Sequence, residues 1–145
     1  MIEIVIRDNE FSYDVKALTL SFFPEQECTV MMDSKAGKGD GYYLKCTMDE
    51  KIILDQEIPA PYDKNRVKQV LYDTYHQLSD KELPWGILTG IRPAKIALRG
   101  LLGGAREDAV AEELSQVYRM NPRKVTLAMN VARTEYELIH DIDYR

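Results

Sequence analysis

The run Pro84-Trp85-Gly86-Ile87-Leu88-Thr89-Gly90-Ile91-Arg92-Pro93-Ala94-Lys95-Ile96 divides the chain into two unlike halves. Upstream of it, strand alternation is interrupted by helical spacing; downstream, only helical spacing remains. Ile2, Ile4 and Ile6 face one way and Glu3, Val5 and Arg7 the other, which predicts a strand. Asp8-Asn9 offers caps for a helix over about Glu10–Phe23, with Val15, Leu18 and Phe22 on one face, ended by Pro24. Cys28–Asp33 predicts a second strand, followed by a turn-rich connection, Ser34 to Gly41. Tyr42–Met48 and Lys51–Ile58 predict a hairpin about a tight Asp49-Glu50 turn. Asp63 caps a helix to about Ser79, with Val67, Val70, Leu71, Thr74, Tyr75 and Leu78 recurring at three- and four-residue spacing. The expectation for 1–82 is therefore β-α-β-β-β-α, a small, mostly antiparallel, meander-like sheet covered on one face by two helices.

The second subdomain, 83–145, reads as helical, so the chain is α+β. Pro93 suits the first turn of a helix, where its missing N–H costs nothing, and Gly103-Gly104 can supply a left-handed end. Arg106–Tyr118 predicts the next helix, with Val110, Leu114, Val117 and Tyr118 inward. Asn121-Pro122 opens the last, to about Asp141. That helix has two apolar stripes. Val125, Ala128, Met129, Ala132, Tyr136 and Ile139 form one; Leu127, Val131 and Leu138 form the other. Two stripes want two packing partners, which points to a segment beyond Arg145 or to a dimer of the fragment.

Composition narrows the function. The net charge of −5 argues against general nucleic-acid binding. It is unevenly spread: residues 1–82 hold 10 basic and 16 acidic groups, residues 83–145 hold 9 and 8. From Leu83 to Arg106 the charges are Arg92, Lys95, Arg99 and Arg106, with no Asp or Glu. At about 100° per residue Arg92, Lys95 and Arg99 share one helix face, joined by Ile96, while Ala94, Ala97, Leu98 and Leu101 lie opposite. With the helix N-terminus, this face suits carboxylates, phosphates or an acidic partner, or is a solvated face with Arg92 held by a nearby carboxylate. Trp85 reads as a core or interface anchor before a stacking platform. The candidate binding or docking set is Trp85, Gly90, Arg92, Lys95 and Arg99.

Other signals are weaker. Cys28 and Cys46 fit no metal spacing and read as buried free thiols of a cytoplasmic protein. His76 and His140 stand without a ligand set, so no metal is expected. Ala36 to Gly41 is glycine-rich but lacks the Gly-Lys-Ser/Thr ending of a phosphate loop. No catalytic triad or carboxylate pair can be assembled, so no catalytic residue is expected. No signal peptide or membrane span is expected. A helix-turn-helix over Arg106–Asp141 would offer only Arg123, Lys124 and Arg133 against Glu135 and Glu137.

The run Trp85-Gly86-Ile87-Leu88-Thr89-Gly90-Ile91-Arg92-Pro93-Ala94-Lys95 resembles a signature of oxygen-independent coproporphyrinogen III dehydrogenases, radical S-adenosylmethionine enzymes of haem synthesis. The likeness is close over about 84–102, and the Glu113–Tyr118 and Lys124 region is compatible; Ala94 stands where a threonine is expected. The resemblance implies an N-terminal domain preceding a catalytic barrel, with Asp141 to Arg145 approaching the first barrel strand. The family's CxxxCxxC cluster motif is absent from this chain. The parent enzyme would use a four-iron four-sulfur cluster and S-adenosylmethionine. It would convert two propionates to vinyls with loss of carbon dioxide, giving protoporphyrinogen IX. Arg92, Lys95 and Arg99 would then hold porphyrinogen carboxylates or dock the domain on its barrel. Haem-carrier relatives of the class, and a free-standing module binding an acidic protein, are the competing expectations. No nucleic-acid or membrane partner is expected.

Overall fold

Each element follows from its local pattern. In the computed structural model, which describes residues 1–37, 39–89 and 92–143 with side chains as far as 139, the chain forms two units, Met1–Lys81 and Glu82–Arg145. The first contains β1 (Ile2–Ile6), α1 (Ser12–Phe22), β2 (Cys28–Met32), β3 (Tyr42–Met48), β4 (Lys51–Ile58) and α2 (Lys64–Ser79). The sheet order is β2-β1-β3-β4.

The sheet is not a meander. β1 and β2 run parallel, with Ile2 beside Cys28 and Ile6 beside Met32, whereas β1–β3 and β3–β4 are antiparallel. The reason is α1: a helical crossover returns the chain to its starting end, so the next strand runs parallel to the first. β3 then takes the free side of β1. Ile2, Ile4, Ile6, Leu44, Cys46 and Ile58 are buried, as are Val15, Leu18 and Phe22 of α1 and Val67, Leu71 and Tyr75 of α2. α1 contacts β2 and α2, and α2 contacts β4.

Local details sharpen the sequence reading. α1 begins at Ser12, because Phe11 takes a left-handed φ of 62° and sets its ring against Tyr42 and Tyr62 at 5.7 and 6.3 Å. Asp8 instead accepts from the Glu10 N–H at 2.9 Å, a turn and not a cap. Asp49 and Glu50 both take positive φ, 49° and 69°, the twist a two-residue hairpin requires. Asp63 does cap α2, accepting from Arg66 N–H at 2.8 Å. Leu78, expected inward, is 51% exposed one residue from the end of α2.

The second unit is a three-helix bundle: α3 (Pro93–Leu102), α4 (Glu107–Gln116) and α5 (Pro122–Asp143). α4 stops short of Tyr118 because the chain turns through Arg119 at φ 58° and sends Met120 N–H back to Leu114 C=O at 3.1 Å. Gly104, φ 92°, supplies the left-handed turn after α3. The core gathers Ala97, Leu101, Val110, Leu114, Met120, Val125, Ala128, Met129 and Ala132. Ile96, expected among the charges, packs against that core. α5 remains helical through Asp143, so Asp141 to Asp143 belong to it; Tyr144 and Arg145 lie outside the described residues. No helix among the described residues is long and apolar enough to cross a membrane.

Candidate docking surface

The Pro84–Leu88 segment is bolted to the turn between α4 and α5. Ile87 N–H donates to Tyr118 C=O at 2.9 Å, and Asn121 N–H to Pro84 C=O at 3.0 Å. Between these bonds the backbones touch, and Gly86 is the residue that permits it. Its φ is +63°, and a Cβ there would drive into the carbonyl oxygen of Tyr118. Trp85 lies half-buried against the bundle core, with the Lys124 ammonium 4.9 Å from its ring centroid. The anchor reading of Trp85 is the one this geometry carries.

Arg92, just before α3, forms a two-pronged pair with Glu135 of α5, Nη1–Oε1 3.1 Å and Nη2–Oε2 3.4 Å. Its charge is thus satisfied within the bundle, and it ties the start of α3 to α5. Lys95 and Arg99 are exposed and pair with no other described residue. The predicted set therefore separates into Trp85 and Arg92, which hold the bundle together, and Lys95 and Arg99, which face solvent. Gly90 lies outside the described residues.

α5 shows two opposite faces. Val125, Ala128, Met129 and Ala132 are buried, while Leu127, Val131 and Leu138 are 48%, 39% and 61% exposed. At about 100° per residue the exposed stripe lies roughly 130° from the centre of the buried one. Glu135, paired to Arg92, borders the stripe on the α3 side. On the other flank Arg133 pairs with Glu107 of α4, Nε–Oε1 2.6 Å, beside an open groove of about 630 Å³ that also touches Arg106 and Tyr136. The Arg133 guanidinium holds the Glu107 carboxyl below its ordinary range. With Arg133 on Glu107 and Lys124 on Trp85, two of the three cations a helix-turn-helix would spend on phosphates are engaged inside the bundle.

The remaining sequence candidates are structural. Arg7, which local pattern did not single out, donates to the carbonyls of Ala36, Gly39 and Gly41 at 2.8–3.0 Å and pairs with Glu57, so it staples the glycine-rich loop to the sheet. His76 Nδ1 meets Lys81 C=O at 2.7 Å and its ring stacks on Tyr72; the His140 side chain lies outside the described residues. Among the described residues no three His, Cys, Asp or Glu gather as a metal set. Cys28 and Cys46 flank β1 on opposite sides. The Cys46 thiol is buried 3.4 Å from Tyr75 Oη, and burial raises its pKa. These two thiols do not fit iron–sulfur ligation. Comparison with protein-family models, with curated proteins and with solved structures finds no match.

Proposed function

We propose that this chain is the N-terminal accessory domain of an oxygen-independent coproporphyrinogen III dehydrogenase, and that its bundle docks on the catalytic barrel instead of taking part in the chemistry. The uncovered stripe Leu127, Val131 and Leu138 carries the reading. An apolar row on one face of the helix that leads out of the bundle asks for a cover, and the resemblance over 84–102 names the kind of domain that would follow. Lys95 and Arg99 supply an exposed basic patch for the same contact or for substrate carboxylates. The cluster and S-adenosylmethionine of the parent would supply the radical that oxidises the propionates. This chain's part is to position the neighbour.

The source gene beyond the Arg145 codon provides the first test. A CxxxCxxC within the next strand and loop is the expected result; a stop codon overturns the reading. In the full-length enzyme, Leu127→Gln with Val131→Gln should lower solubility and activity together. Lys95→Ala with Arg99→Ala separates docking from substrate holding: a raised KM at unchanged stability assigns them to porphyrinogen carboxylates. The exposed Lys95 and Arg99 also favour a second reading, a free-standing module for an acidic protein partner, which a stop codon would leave as the better account.

A further inference from the structure

The two edges of the sheet are built differently. β4 carries Lys51, Asp55 and Glu57, and its ladder with β3 shifts register at Cys46/Thr47. Charges and bulges of this kind discourage a further strand. β2, the opposite edge, reads Cys28-Thr29-Val30-Met31-Met32, with no charge, proline or glycine, and its register with β1 is unbroken. Ile2 N–H donates to Glu27 C=O at 2.7 Å and Asp33 N–H to Ile6 C=O at 2.8 Å. The odd-numbered residues thus turn their backbone groups to β1, and Cys28, Val30 and Met32 turn theirs outward. Among the described residues no strand receives them.

Side chains mark the same edge. Met31 and Met32 are 42% and 62% exposed, and Tyr13 of α1 is 80% exposed. Between α1 and β2 runs an open groove of about 330 Å³, lined in part by Tyr13, Lys16, Val30 and Met32. A paired strand and a filled groove would cover all three apolar side chains at once.

We propose that β2 pairs antiparallel with β2 of a second copy of this chain, about a two-fold axis at Met31, joining the two sheets edge to edge. The charges that flank β2, acidic Glu27 before it and Lys35 in the turn after it, suit a second copy, and they select its register. Two central registers bring outward-facing residues into hydrogen-bonded pairs, with the axis at Val30 or at Met31. An axis at Val30 sets Glu27 against Asp33, like against like. An axis at Met31 sets Thr29 opposite Asp33 and brings Glu27 to the Ser34-Lys35 turn that follows the strand, so no like charges stand opposite each other. It also sets Val30 opposite Met32, so that Met32 of the second copy lies at the mouth of the groove beside Val30. Methionine is suited to filling such an irregular space. The inference concerns residues 1–81 and does not rest on the enzyme reading.

Sedimentation equilibrium of the whole chain tests it. Wild type should show a monomer–dimer equilibrium. Met31→Lys should weaken it at least about tenfold with an unchanged circular dichroism spectrum. Glu27→Lys and Lys35→Glu should each weaken association, and their combination should restore it. Ile52→Lys on the β4 edge, and Leu127→Gln with Val131→Gln on α5, should leave it unchanged. On a Cys28→Ser background, Met31→Cys should cross-link under mild oxidation more readily than Val30→Cys, because facing residues in a non-hydrogen-bonded pair have Cα atoms only about 4.5 Å apart. A chain that stays monomeric to about 1 mM overturns the proposal and leaves the edge to a strand of another protein. So does a dimer that survives Met31→Lys but dissolves with the α5 variant. Faster cross-linking through Val30→Cys overturns the register.

Discussion

The sheet unit and the bundle solve the same packing problem with different materials. Of the twelve largest fully buried side chains, ten lie in residues 1–81, among them Tyr75, Phe22 and the three isoleucines of β1. The bundle core leans on Ala97, Ala128 and Ala132, with Leu114 its large fully buried member. Helices laid on a sheet leave a deep interlayer that large side chains must fill, whereas small residues let helices approach closely. The difference teaches where each unit has surface to spare. The sheet unit spends its apolar residues inward and leaves one strand edge bare. The bundle leaves a whole stripe of α5 uncovered.

The largest expected effect lies in the sheet unit. Phe22 is fully buried with ring centroids 5.2–6.1 Å from Phe23, Tyr72 and Tyr75. Phe22→Ala should cost about 3–5 kcal/mol in urea unfolding. Trp85 is the chain's one tryptophan and sits in the bundle. Its emission should therefore hold while amide protection collapses in 1–81; simultaneous loss of both would show one cooperative block and break the comparison. Next comes Gly86→Ala, where positive φ and the Tyr118 carbonyl combine. A cost of at least about 2 kcal/mol is expected, read by Trp85 emission with protection in 1–81 unaltered.

How much of this was legible depended on range. Ile2/Ile4/Ile6, the Asp63 cap and the Pro93 and Pro122 starts are local signals, and the elements appear within a residue or two of where those signals put them. The parallel β1–β2 pair was missed because strand direction is decided by the crossover and leaves no mark on the strand's own residues. Phe11 shortened α1 through ring contacts with Tyr42 and Tyr62, partners dozens of positions away. The basic face was readable from helical spacing, and a carboxylate on Arg92 was one of its two expected states, but which carboxylate was not readable. Nothing near Arg92 announces Glu135, 43 residues on, which turns one candidate ligand into a strut. The double stripe of α5 was readable because both faces lie on one helix.

Smaller effects probe the polar contacts of the sheet unit and the two faces of α5. Tyr75 Oη meets Thr19 Oγ1 at 2.8 Å and Cys46 Sγ at 3.4 Å inside the core, and burial raises the pKa of its phenol. Thr19 keeps its bond to Val15 C=O at 2.8 Å when the phenol oxygen is removed. Tyr75→Phe should therefore cost only about 1 kcal/mol, measured as a shift of the denaturation midpoint. On α5, Leu127→Gln with Val131→Gln should change the stability of this chain by no more than about 0.5 kcal/mol, whereas Ala132→Leu, on the buried face, should cost about 1–3 kcal/mol. Equal costs on the two faces would mean the outer stripe is already covered.

The smallest effect is a pH dependence, confined to the bundle. Arg133 donates to Glu107 from Nε at 2.6 Å and from Nη2 at 3.4 Å, and that bond holds the carboxyl below its ordinary range. A carboxyl whose pKa is lower in the folded state binds fewer protons there than in the unfolded chain. Its stabilisation is therefore complete above the unfolded pKa and is lost as pH falls through the folded one. Both side chains stand in solvent, 44% and 54% exposed, so the effect should be small and should shrink in salt. Thermal unfolding followed by Trp85 emission from about pH 6 to about pH 3 should show an acid limb that Arg133→Met flattens at low salt. Fluorescence melts with the same acid limb in both proteins would assign the acid sensitivity elsewhere and remove this pair from the forces that join α4 to α5.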